Sequence, residues 1–121
     1  MTRHLQEQEK NLLKKMLTYT VRGATIIDQL DSIRVESMND CGMGSLKFVG
    51  PISSQRQFGA ALVEAEFLDK DDVPVFAVVN LDRKGNLYEL DIWKVDFSAL
   101  IRWPDIEDVS IKLSETRPQK H

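Results

Sequence analysis

Asn86-Leu-Tyr-Glu-Leu-Asp-Ile-Trp-Lys-Val-Asp-Phe97 reads as one long β-strand whose two faces differ in chemistry. Side chains of a strand alternate between faces, so Tyr88, Leu90 and Ile92 share an apolar face while Glu89, Asp91 and Trp93 share the other. Two carboxylates beside an indole are costly to bury without partners. The second face is therefore expected to meet solvent or a partner. The stretch predicts a half-buried sheet strand carrying a recognition surface, and it implies no reaction.

Upstream of it, other segments show strand patterning. Ile33–Met38 alternates Ile33 and Val35 against Arg34 and Glu36, and Ser45–Val49 follows after the turn-rich Asn39-Asp-Cys-Gly-Met-Gly44. Gly50-Pro51 and Ser53-Ser-Gln-Arg-Gln57 read as a loop. Ala60–Leu68 places Ala61, Val63, Ala65 and Phe67 on one side and Leu62, Glu64, Glu66 and Leu68 on the other. Asp69-Lys-Asp-Asp72 is a hairpin turn. The nearly unbroken apolar run Val73–Leu81 predicts a central strand buried on both faces, with Pro74 at its start. Asp82-Arg-Lys-Gly85 reads as a type I turn with Gly85 in the left-handed position. Asp96–Leu100 begins a short helix or turn that Trp103-Pro104 ends, and 108–113 adds a small edge strand.

The first thirty residues have the helical period instead. Leu5, Leu12, Leu13, Met16 and Leu17 recur at helical spacing over Leu5–Thr18, with Lys10, Lys14 and Lys15 outward and Thr2 as a weak cap. Gly23 breaks the pattern, and Ala24–Leu30 forms a second, short helix. The predicted fold class is α+β, with N-terminal helices packed on a roughly five-stranded antiparallel meander. One domain spans 1–121, with an ordered core over about 5–113 and a frayed polar tail at 114–121.

Composition narrows the function classes. Apolar residues make up 42% and charged residues 29%, ordinary for a soluble globular chain. The net charge of −3 argues against a nucleic-acid binder. Charge is also uneven: from Glu64 to Asp96 nine acids stand against four bases, which would steer a basic partner to that half. The single cysteine, Cys41, excludes an internal disulfide. The first residues lack the apolar core of a signal peptide, and no apolar run has the ~20 residues of a membrane span. A cytoplasmic protein without membrane attachment is expected.

Reactive constellations are scarce. His4 and His121 are the only histidines, both near chain ends, so no Cys-His or Ser-His pair and no metal-ligand spacing is evident. Gly42-Met-Gly44 lacks the Lys-Ser/Thr and the helix of a phosphate loop. Asp69–Asp72 lacks the Gly and closing Glu of a calcium loop. Glu64, Glu66, Glu89 and Asp91 are the abundant reactive groups. They could serve a divalent-metal-dependent enzyme if their strands were neighbours in register, or a protein-binding face on which Trp93 supplies the apolar anchor. A homo-oligomeric structural role is a further alternative. No cofactor is implied.

Asp40-Cys-Gly-Met-Gly-Ser-Leu46 and Glu89-Leu-Asp-Ile-Trp-Lys-Val-Asp-Phe97 together resemble a family of small bacterial proteins with a domain of unknown function. Its motifs are close to Asp-Gly-Gly-Met-Gly-Ser-Leu and Glu-Leu-Asp-x-Trp-Lys-Val-Asp-Phe, and Cys41 stands where that pattern has Gly. Small acidic domains of this type resemble immunity proteins of contact-dependent growth inhibition. The resemblance implies a non-enzymatic protein, a monomer or weak dimer alone, whose partner is the C-terminal toxin domain of a large secreted protein, commonly a basic nuclease. The residues expected to bind it are Glu64, Glu66, Glu89, Asp91 and Trp93.

Overall fold

The structure, a computed structural model, describes residues 2–49 and 57–113. The expected loop around Gly50-Pro51 and the polar tail 114–121 fall outside these residues, except that Gln57 is described. Seven strands form one antiparallel sheet: β1 (Arg3–His4), β2 (Arg34–Ser37), β3 (Leu46–Phe48), β4 (Phe58–Leu68), β5 (Pro74–Asp82), β6 (Leu87–Lys94) and β7 (Ser110–Leu113). Their order across the sheet is β1-β2-β3-β6-β5-β4-β7. Helices α1 (Glu7–Thr18) and α2 (Gly23–Ile27) lie between β1 and β2 in sequence.

The α+β class holds, but the sheet has seven strands rather than about five. The addition is β1, a two-residue edge too short to show a period of its own, whereas β7 is the small edge strand expected over 108–113. β1 pairs with β2 through Arg3 and His4, and β7 lines the far edge along Val63–Glu66 of β4. The long strand 86–97 is also shorter than its pattern: β6 ends at Lys94, where a tight turn brings the Phe97 N–H within 2.8 Å of the Lys94 carbonyl.

The helices begin differently from the sequence expectation. Thr2 does not cap α1; its hydroxyl accepts a hydrogen bond from Arg34 Nε. Gln6 is the cap residue, and its N–H donates to the buried Glu9 carboxylate, which Arg3 clamps from the other side at 2.8 Å through both terminal nitrogens. Gly23 does not merely end a pattern, because it opens α2. A Cβ there would lie 1.7 Å from the Leu17 carbonyl oxygen, so only glycine lets α2 approach α1 this closely.

One face of the sheet meets the helices. Leu12, Leu13, Met16 and Leu17 of α1 and Ile26 of α2 bury against Val35, Phe48, Val63, Ala65, Val75, Ala77, Val79, Leu90 and Ile92. β5 is central, yet its second face is buried only in part: Phe76 and Val78 stay partly exposed beside fully buried Val75, Ala77 and Val79, while Asn80 on the same face is buried. The unbroken apolar run of β5 thus covers a core face and an open face together.

Candidate partner-binding face

The open face collects all five residues expected from sequence. Across β6, β5 and β4, Trp93 stands opposite Phe76 and Phe76 opposite Glu66. The next row is Asp91, Val78 and Glu64, and the row beyond it sets Glu89 against Asn80. Glu64 and Glu66 therefore lie on one side of β5, and Glu89, Asp91 and Trp93 on the other. With neighbouring strands ~4.8 Å apart, the two acid sets are about 10 Å apart at the backbone. The carboxylates frame an apolar strip rather than pairing. Among the described residues no group of three His, Cys, Asp or Glu side chains is placed to hold a metal ion.

The acids are not equivalent. Glu89 accepts a hydrogen bond from Asn80 Nδ2 at 3.1 Å and lies opposite Lys47 in register. Glu64 lies opposite Lys112 of β7. Glu66 faces Ser110 and Phe76, and Asp91 faces Val78. Neither Glu66 nor Asp91 makes a hydrogen bond or ion pair through its carboxylate among the described residues. The two carboxylates nearest the aromatic row are thus the ones without a basic neighbour across the strands.

Trp93 sits at the centre of that row, 46% exposed. Its ring lies 5.6 Å from Phe76 and 6.4 Å from Phe97, in tilted contacts. Phe97, which sequence patterning placed within the strand, instead occupies the turn after β6 with φ 61° and is 65% exposed. Leu68 and Val95 extend the apolar surface at the same end of the sheet.

Directly behind Trp93, on the inner face, lies a charged cluster that the sequence reading did not single out. Lys94 is 1% exposed, and its ammonium donates to Asp69 Oδ2 (2.8 Å), Asp71 Oδ2 (2.9 Å) and the Ala99 carbonyl (3.2 Å), using all three protons. Asp69 also accepts from the N–H groups of Ile101, Arg102 and Lys70 at 2.7, 3.0 and 2.7 Å. Burial pushes the Asp69 carboxyl up, but these hydrogen bonds outweigh it and hold the pKa at about 2. Burial likewise favours neutral Lys94, and hydrogen bonds and charge from Asp69 and Asp71 reverse that, raising its pKa. A protonated, fully hydrogen-bonded lysine offers no lone pair for base or Schiff-base chemistry. The cluster ties the 95–102 segment to the sheet.

The Asp40–Leu46 stretch meets the same end of β6. Asp40 caps its own turn, accepting from the N–H groups of Met43 and Ser45. Ser45 Oγ donates to the Ile92 carbonyl and accepts from the Ile92 N–H, replacing a sheet bond with a side chain. The Lys94 N–H donates to Met43 Sδ at 3.3 Å, and the Leu100 N–H to the Gly42 carbonyl. Gly44, at φ 106°, packs against Trp103 and Ile92. Cys41 is exposed in the left-handed conformation with no described ion pair or hydrogen bond through its thiol. The two sequence motifs therefore build one structural hub, and its outward side is the Trp93 surface.

A cavity of about 670 Å³ opens elsewhere, lined by residues that include Val21, Arg22, Gly59, Asp82 and Arg83 and by none of the five face residues. No described helix is long and apolar enough to cross a membrane.

Fold and surface together define an α+β protein with helices on one sheet face and an aromatic, acid-rimmed surface on the other. The chain belongs to the family of the domain of unknown function DUF6984, whose family model matches residues 2–104. That match runs from β1 through the hub and stops before β7. No curated protein and no solved structure matches the chain.

Proposed function

We propose that this protein is a cytoplasmic, non-enzymatic immunity protein that neutralises a bacterial toxin domain by covering its active site. The observation that carries the reading is the placement of Glu64, Glu66, Glu89, Asp91 and Trp93 on one open sheet face around an exposed aromatic row. An indole in an apolar strip supplies the kind of anchor that dominates interface energetics. The flanking carboxylates supply complementarity to a basic nuclease cleft, where they take the place of phosphate groups. Charges of this kind mainly raise the association rate and fix the partner, and truncating one that becomes buried costs roughly 2–5 kcal/mol of affinity.

The first experiment is capture with the tagged protein from its own organism while neighbouring reading frames are expressed, followed by mass spectrometry. A stoichiometric basic toxin fragment, inhibited on adding this protein, is the expected result. Asp91→Lys and Trp93→Ala should each weaken that complex while the circular dichroism and unfolding midpoint stay near those of the parent. Unchanged affinity in both folded variants would reject this face as the binding surface. Recovery of the bait alone would reject the toxin reading.

A further inference from the structure

We infer that the Trp93 surface is a subsite for an arginine side chain of the protein partner, held between the aromatic row and the carboxylates of Glu66 and Asp91. The inference rests on the reading of this face as partner-binding and goes beyond it by naming the group recognised. Four observations converge. Trp93, Phe76 and Phe97 form a run of aromatic rings with centroid spacings of 5.6 and 6.4 Å, and both Trp93 and Phe97 are exposed. Glu66 lies in the same cross-strand row as Trp93, and Asp91 is two residues before it on the same strand face. Both carboxylates lack a hydrogen bond or ion pair among the described residues, unlike Glu89, which is engaged by Asn80. Finally, Phe97 keeps a left-handed backbone, unfavourable for a bulky residue, while most of its ring faces solvent. Burial within this chain does not compensate that strain, which fits a ring held out for contact with something else.

The chemistry selects a guanidinium over an ammonium. A planar, weakly hydrated cation stacks on an indole face and offers its edge N–H groups to two carboxylates at once. A lysine ammonium is a compact, strongly hydrated point charge and gains less from the ring faces. A hydrophobic partner side chain would use the rings but leave Glu66 and Asp91 desolvated without partners, at a cost.

The test titrates the full chain with acetyl-Gly-Arg-Gly-amide and with its lysine counterpart, following the Trp93 indole N–H by NMR, assigned by its loss in Trp93→Ala. The arginine peptide should shift this resonance saturably, and the lysine peptide should need at least about fivefold higher concentration. Glu66→Gln/Asp91→Asn should raise the half-saturation concentration by about tenfold, whereas Glu107→Gln, remote on the 106–108 turn, should leave it unchanged. Equal response to the two peptides, or saturation indifferent to the double variant with folding confirmed, would overturn the inference. If the arginine probe fails while toxin capture still depends on Trp93, the partner-binding face stands and the arginine subsite falls. If the probe binds as expected and no toxin is captured, the subsite stands and the immunity reading falls.

Discussion

The Lys94 ammonium lies 2.8 Å from Oδ2 of Asp69, and neither side chain reaches solvent. The pair sits one residue inward of Trp93, so the residue displayed to a partner and the residue that fixes the strand end are adjacent in sequence and opposite in direction. A buried ion pair is a modest source of net stability, but removing one partner leaves the other charge stranded.

Asp69→Ala should therefore be strongly destabilising, by roughly 3–5 kcal/mol, because it leaves the buried Lys94 ammonium only the partly exposed Asp71 and the Ala99 carbonyl, and frees the N–H groups of Ile101 and Arg102. Lys94→Met should also destabilise, and the double variant should lose less than the sum of the two. Urea unfolding of the three variants measures this. Strict additivity would mean that the two side chains are not energetically coupled.

Acid should act on the same pair. Asp69 has a folded-state pKa of about 2 against an ordinary 3.8, so the unfolded chain binds its proton first as pH falls. Its contribution is fully present above the unfolded value and is lost as pH drops from about 4 towards 2. The urea midpoint should decline across that window in the parent, and Asp69→Asn should flatten part of the decline. Parallel curves for parent and variant would assign acid sensitivity to other carboxylates.

Much of this was legible in the sequence. Period-two alternation located β2 to β6, gave the faces of β4 from Val63 onward and of β6 from Glu89 onward, and put Glu64, Glu66, Glu89, Asp91 and Trp93 on a common outward side. Before those points bulges break the alternation, burying Leu62 and Leu87 and setting the Tyr88 ring under Lys47. The same alternation places Lys94 inward with Leu90 and Ile92; a charged residue on an apolar face was the available signal for the buried cluster. Its counter-ion was not legible, since Asp69–Asp72 has turn composition and pairing with Lys94 depends on how β4, β5 and β6 lie together. Nor was Phe97. Its placement follows from the Lys94–Phe97 turn, and Val95 and Phe97 keep the strand alternation up to that point. β1 was hidden because two residues carry no period, and the open face of β5 because Phe76 and Val78 have the apolar character of core residues.

Gly23 and Gly85 should respond differently to alanine, although both read as helix or turn punctuation. At Gly23 the new Cβ would fall 1.7 Å from backbone oxygen of Leu17, which cannot yield without separating α2 from α1. A loss of at least ~2 kcal/mol is expected. At Gly85, φ is 86° and the nearest atom is the end of the Arg22 side chain, which can swing away. There the cost should be the left-handed backbone alone, about 1 kcal/mol. Thermal unfolding of the two variants ranks them, and the reverse order would contradict the close α1–α2 approach.

Phe97 offers a separation of stability from binding. Its left-handed backbone costs of order 1 kcal/mol for a residue with a Cβ. With its ring mostly in solvent, little is lost within the chain when the side chain is removed, beyond an edge contact to Trp93 worth roughly 0.5 kcal/mol. Phe97→Gly should accordingly leave the unfolding free energy unchanged or raise it by up to ~0.5 kcal/mol, since relief of strain is partly offset by the greater freedom of unfolded glycine. The same change should weaken the arginine-peptide response at Trp93 by about threefold, because one wall of the aromatic row is gone. Chemical denaturation and the NMR titration on one sample read both quantities. A variant that is clearly less stable yet binds the peptide as before would show that Phe97 serves the fold and not the surface.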